Sequence, residues 1–323
     1  MLCYNPKPFS AMKNRKIYNG IINHCYQRLE DRGVLFYTVS DHLVFFTIFC
    51  TTAKEFKVKV LKLVQMPDHI HHATIEYRRG ELSAFCGEAS RRFARTFNER
   101  CGLAGQLFEH PFQSVPKVGA KKARTILLYL DNNPQERQLV QKAEDYQWNY
   151  LAYGNTNHPF SDKIVLREAS MPLRRALKTV RAQHKEGRPM NYTLLRRLFD
   201  SLPSDRERCQ LTDYIVTTYS VIDHAESIRY FGTYEEELIA AHANTGSEYD
   251  INEVFIGRSD AVYASMRRVI RQTGRYADLH EILSLPIPEK VELLQLLQRE
   301  TSALSKQIAA FLHLPLSRVE VTR

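Results

Sequence analysis

Polar and apolar side chains alternate over residues 57–64, Lys-Val-Lys-Val-Leu-Lys-Leu-Val. That period of two predicts a strand with Val58 and Val60 turned inward. Met66-Pro67-Asp68 predicts a turn, and residues 69–77 a second strand antiparallel to the first, ended by Arg78-Arg79-Gly80. Helical periods flank this pair. Residues 43–56 form an apolar helical run behind a Ser40-Asp41 cap, and residues 82–99 a basic amphipathic helix with Leu82, Phe85, Ala89, Phe93 and Phe97 as its buried stripe. Weak alternation over residues 16–27 predicts a first strand, closed by a turn at 30–33, and residues 107–115 hold a short strand broken by Pro111 and Pro116. A further helix opens at Lys121-Lys122 and runs to about Asn132, with Asn133 at its C-terminal end because Pro134 follows.

The order strand, helix, strand, strand, helix, strand, helix predicts an α+β chain, a ferredoxin-like antiparallel sheet with helices on one face. Past Asn155 the texture changes. Residues 154–159 (Gly-Asn-Thr-Asn-His-Pro) read as a linker, and helical patterns follow at 171–185, 192–202, 208–220, 233–243, 259–272, 276–283 and 288–299. The expectation is two domains, 1–155 and a mostly helical 156–323. Residues 302–319 resemble the opening of a helix-turn-helix, with a turn near Leu314-Pro315 and a second helix capped at Ser317.

Bulk composition narrows the function class. A hydrophobic fraction of 44% and a charged fraction of 25% over 323 residues suit a globular protein. No stretch approaches a membrane span, and the N-terminus lacks an apolar signal core, so a cytoplasmic protein without a membrane partner is expected. The six cysteines form no C-x-x-C pair and read as reduced thiols; a zinc site built on cysteine is not expected. Net charge is +9, unevenly spread. Residues 1–150 carry 22 Lys and Arg against 14 Asp and Glu, a net of +8, while residues 151–323 carry 23 against 22, a net of +1. A basic first half favours a polyanionic partner, with nucleic acid the leading candidate.

Candidate chemistry lies in that same half. In a strand, His69 and His71 point together while Ile70 and His72 point away. Tyr129 and Asn133 are one helical turn apart. If the helix packs over the strand, two imidazoles, an amide oxygen and a phenol converge as a partly open divalent metal site beside a nucleophile. Other readings compete. Zinc hydrolases use such pairs with a third His, Asp or Glu, and a histidine-triad hydrolase needs histidine where this chain has Ala73. A tyrosine on an apolar helix is ordinarily packing. Lys121, Lys122 and Arg124 on the same helix are candidates to hold a phosphate backbone or lower the phenol pKa. Arg91, Arg92 and Arg95 are DNA-contact candidates whose alternative is a solvated helix face, an ambiguity shared by Arg174, Arg175, Lys178 and Arg181 and by Arg267, Arg268 and Arg271.

Met66-Pro67-Asp68-His69-Ile70-His71 resembles the M-P-[ND]-H-hydrophobic-H motif of single-tyrosine HUH transposases. Tyr129-Leu130-Asp131-Asn132-Asn133-Pro134 resembles their Y-[IL]-x-x-N-P motif, Asp145-Tyr146-Gln147-Trp148-Asn149 their D-Y-x-W-S segment, and residues 97–105 their hydrophobic-N-x-x-x-G-x-x-G link. The nearest group looks like the REP-associated tyrosine transposases, over roughly residues 15–153. The resemblance implies an HUH endonuclease fold, with His69, His71 and Asn133 as ligands of Mg²⁺ or Mn²⁺ and Tyr129 as nucleophile. It implies a transposase that nicks and rejoins single-stranded DNA through a 5′-phosphotyrosine, on a substrate carrying a hairpin. His72 departs from the pattern, which usually has an aliphatic residue there. Two other readings remain: a domesticated DNA-binding regulator that keeps the fold, and a helix-turn-helix regulator with an N-terminal effector domain. Whether the site is completed within one chain or across a homodimer is open at this point.

Overall fold

The computed structural model describes residues 15–29, 33–108, 111–243, 256–257 and 259–315. Four strands, β1 (Asn23–Arg28), β2 (Lys59–Gln65), β3 (His69–Ile75) and β4 (Gln113–Pro116), form one sheet in the order β2-β3-β1-β4. Every neighbouring pair is antiparallel. Helices α1 (Val39–Glu55) and α2 (Glu81–Cys101) make the two crossovers, which is the ferredoxin-like arrangement. Helix α3 (Ala120–Glu136) follows β4.

The two faces of the sheet have different covers. Cys25, Val60, Leu63 and Ile70 join a core with Phe46, Phe49, Phe85 and Phe93 of α1 and α2. Leu61, Val64, Ala73 and Ile75 join a second core with Ile126, Leu127 and Leu130 of α3. A register irregularity between Val60 and Lys62 permits this split in β2, because it lets both Leu61 and Lys62 serve the α3 side. The crossover helices thus share one face, and the tyrosine-bearing helix occupies the other.

Local differences from the sequence expectation have local causes. Strand β1 starts at Asn23 rather than at residue 16, because the Asn23 amide bonds the backbone of Tyr18 and Ile21 around a turn at Gly20 (φ +73°). Thr38, not Ser40, caps α1; Asp41 is its reciprocal partner in a capping box. Helix α3 does not stop at Asn132 but runs through Pro134 to Glu136. An internal proline costs about 3 kcal/mol. Burial of Ile126, Leu127 and Leu130 offsets it, as do a bond from Asn132 Nδ2 to Ala241 O (2.9 Å) and the Arg137–Asp260 ion pair (2.6 Å) just past the helix end.

The remaining helices are α4 (Met171–Lys185), α5 (Tyr192–Asp200), α6 (Asp205–Tyr219), α7 (His224–Arg229), α8 (Tyr234–His242), α9 (Ala261–Gln272), α10 (Ile287–Glu300) and α11 (Ser305–Leu312). Of the helix expected at 276–283, only Leu279–Leu283 is helical, as a tight 3₁₀ turn. Residues of α4–α6 and α9–α11 share one continuous core with α1 and α2. Buried polar bonds cross between the halves: Asp41 accepts from Tyr192 Oη and His280 Nε2, each at 2.8 Å, and Tyr37 Oη donates to Phe311 O at 2.6 Å. Helix α11, the first helix of the suggested helix-turn-helix, is buried from Gln307 to Leu312; the expected second helix, from residue 316 on, lies outside the described residues. Among the described residues no helix is long and apolar enough to cross a membrane.

Candidate active site

On β3 the side chains of His69 and His71 face α3, while His72 is buried on the opposite face against Phe49, Phe85 and Cys86. Each site histidine has its Nδ1 engaged. The tight Met66–His69 turn (Met66 N to His69 O, 2.9 Å) brings Asp68 beside its neighbour, and His69 Nδ1–H donates to Asp68 Oδ1 at 2.5 Å. His71 Nδ1 lies 3.0 Å from His24 Nε2. Such bonds fix tautomer and ring orientation and make Nε2 the nitrogen presented to a cation. Burial would raise the Asp68 carboxyl, but the charge and hydrogen bond of His69, with Arg28 and Arg137 beyond, bring it down to about 2. Burial, reinforced by His69 and Arg28, holds His71 well below the usual imidazole range. Its ring is therefore neutral at pH 7, the form that coordination needs.

Helix α3 delivers the phenol. The Tyr129 ring meets His71 edge-on (centroids 5.7 Å apart, planes at 84°) and His24 likewise (6.0 Å, 71°). One turn later Asn133 is fully buried, with neither Oδ1 nor Nδ2 hydrogen-bonded. A buried amide in that state costs on the order of 1–3 kcal/mol. A group placed at such cost fits the part of a ligand. Two imidazoles and an amide oxygen suit a divalent ion and leave positions open for substrate oxygens. The three consecutive residues ahead of Pro134 diverge: Asp131 pairs with Lys62 (2.7 Å), Asn132 bonds α8, and Asn133 stays on the Tyr129 face.

The four expected side chains lie on β3 and α3. The basic candidates scatter. Lys121 and Lys122 are exposed at the start of α3, eight and seven residues before Tyr129, or roughly 12 and 10 Å along the axis. Arg124 stacks over the Phe231 ring at 5.2 Å. Arg91, Arg92 and Arg95 belong to α2, across the sheet from Tyr129, and pair with Glu88, Glu55 and Glu99. The structure does not bring these three to the site.

Sequence reasoning missed His24 and gave Asp68 no role. The signal was present in alternation: His24, Tyr26 and Arg28 share a strand face, and register sets Tyr26 opposite His71, Arg28 opposite His69 and His24 opposite Ala73. The small Ala73 lets the His24 ring lean onto His71 (5.2 Å, 25°). That cross-strand contact could be read only once the pairing was known.

No protein-family model matches the chain, and no curated protein matches it. A solved structure of a REP-associated tyrosine transposase bound to a REP hairpin is similar, at 15% identity and a TM-score of 0.40, covering 50% of this chain and 96% of that one. At that level the likeness carries no residue role across to this chain.

Proposed function

We propose that this chain is a metal-dependent nicking and rejoining enzyme for single-stranded, hairpin-bearing DNA, a transposase of the single-tyrosine HUH kind. The observation that carries the reading is the Tyr129 phenol edge-on to His71, one turn from the buried Asn133 carboxamide. His69, His71 and Asn133 would hold Mg²⁺ or Mn²⁺, which when bound supplies Lewis-acid polarisation of a phosphate oxygen. The Tyr129 oxygen attacks phosphorus, the phenol losing its proton. The P–O3′ bond breaks, the 3′-oxygen leaves as a hydroxyl, and the 5′-phosphate stays on the tyrosine. The phosphodiester bond energy is conserved in that link, so a second 3′-hydroxyl can reverse the step without ATP. Asp68 and His24 orient the two imidazoles, and the exposed Lys121 and Lys122 offer the DNA backbone a cationic approach along α3. His69, His71 and Asn133 are 0% exposed and Tyr129 3%, so a strand reaches the phenol only after the residues over it part.

The test is adduct formation. Full-length protein is incubated with labelled hairpin DNA bearing a single-stranded flank, with Mg²⁺ or Mn²⁺, and resolved in SDS. The expected result is a denaturant-resistant complex that Tyr129→Phe abolishes while hairpin binding persists, and that His69→Ala abolishes together with its metal dependence. An adduct formed by Tyr129→Phe at the normal rate removes the tyrosine from this role.

A further inference from the structure

Behind the candidate active site, on the opposite face of the same two strands, lies a second cluster. Cys25 of β1 stands directly opposite His72 of β3 in the antiparallel register, and Cys86, on the second turn of α2, covers both. The Sγ atoms of Cys25 and Cys86 and a ring nitrogen of His72 all lie within 4.8 Å of one another, and all three residues are buried. His72 Nε2 is 3.7 Å from Cys86 Sγ. Tetrahedral zinc with ordinary bond lengths separates a sulfur from a nitrogen ligand by about 3.6 Å. His72 Nδ1 is 3.3 Å from Thr74 Oγ1, so the ring can donate there and turn the Nε2 lone pair toward the sulfurs. Ser114 Oγ, 3.6 Å from Cys25 Sγ, adds an oxygen to the rim of the cluster.

We propose that Cys25, His72 and Cys86 form a buried structural site for a thiophilic closed-shell cation, Zn²⁺ in the first instance. Binding converts two thiols, one neutral imidazole and Zn²⁺ into a neutral Zn(Cys)₂(His) unit and releases two protons to solvent. Neutrality matters here, because an unbalanced charge is costly in an apolar core, whereas two thiolates cancel a dication. Thiolate donors select zinc or cuprous copper over the magnesium or manganese suited to the imidazole and amide set on the other face. The site ties β1, β3 and α2 together immediately behind His71. Because its ligands are enclosed, the ion enters as the chain folds.

The test refolds the untagged full chain in reductant with Zn²⁺, strips loosely held ions on a chelating resin, and counts metal by mass spectrometry. The same is done for His69→Ala/His71→Ala, so that the first site does not contribute. The expected result is one zinc per chain in the double-histidine variant, lost at least tenfold on adding Cys86→Ser with the circular dichroism spectrum preserved. Cobalt in place of zinc should give a near-ultraviolet thiolate-to-cobalt charge-transfer band in the double-histidine variant. That measurement needs no cysteine substitution, so it decides the matter even where Cys86→Ser fails to fold. Retention of no zinc, a cobalt spectrum without the thiolate band, or thiol alkylation showing Cys25 and Cys86 joined as a disulfide in the reduced preparation would each overturn the proposal. None of these outcomes bears on the adduct assay with Tyr129, so the two readings fail separately.

Discussion

The two faces of β3 receive the same kind of side chain and use it differently. His71 and His72 are neighbours in sequence and both are buried, yet one looks toward α3 and a phenol, the other toward α2 and two thiols. On the α3 face polar groups gather around Tyr129, each oriented by a neighbour: Asp68 on His69, His24 on His71. On the α1–α2 face the histidine is embedded among aromatic rings, where burial drives it down to about 3 and leaves it neutral. A one-residue step along a strand thus separates the candidate active site from the thiol cluster, because strand period sends consecutive side chains to opposite faces of the sheet.

The largest expected effect attacks the packing face. Phe93 is fully buried and its ring meets those of Phe36, Phe45, Phe97 and Phe108. Phe93→Ala should destabilise the fold by about 3–5 kcal/mol in denaturant titration. Adduct yield per folded molecule should hold, and a loss of specific activity in the folded fraction would show that the two faces are not independent.

Next comes the orientation of His69. Asp68→Asn keeps shape but weakens the charge-assisted bond to Nδ1, and the expected loss in adduct rate is about 10–100-fold, the usual range for such supporting residues. Raising the metal concentration should recover part of it. An unchanged rate would leave Asp68 with a structural role alone.

Asp131 offers a contrast of sign with Asp68. Lys62 is enclosed between two carboxylates, Asp131 at 2.7 Å and Glu237 at 2.9 Å. One ammonium does not balance two buried anions; burial, against the pull of Lys62 and with the push of Glu237, raises Asp131 to about 7. Asp131 is therefore protonated more readily folded than unfolded. Its contribution to stability is complete below about pH 4 and is lost as pH rises through 7, whereas the depressed Asp68 contributes above about pH 4 and loses that contribution as pH falls toward 2. Melting temperature of the wild type relative to Asp131→Asn should decline by several degrees between pH 5 and 8. Parallel curves would sever the link.

The smallest effects belong to the surface cations. Lys121→Ala and Lys122→Ala should weaken hairpin binding evenly across DNA sequences and reduce the salt slope by roughly one for each phosphate no longer neutralised. Arg91→Ala and Arg95→Ala, across the sheet and paired with glutamates, should change that slope less. A larger change from the α2 arginines would mean that DNA runs over the face opposite Tyr129.

Strand period, the buried stripe of α2 and the helical texture past residue 155 were all legible in the chain, since local periodicity is set by which side chains a helix or strand sends to one face. So was the pairing of His69 with His71, and of Tyr129 with Asn133. The end of α3 was misjudged because Pro134 is a local breaker, while the forces that carry the helix past it are tertiary: a side-chain bond to α8 and an ion pair with Asp260. His24 stayed invisible because its contact with His71 spans 47 positions and depends on strand register and on a small residue at Ala73. The thiol cluster went unexpected for the same reason, its members lying at 25, 72 and 86 with no spacing motif among them. Sequence alone determined which residues share a face, through a repeat that each short segment carries in itself. Only the folded sheet decided which faces meet, because long-range packing and register join segments that hold no information about each other until both are buried.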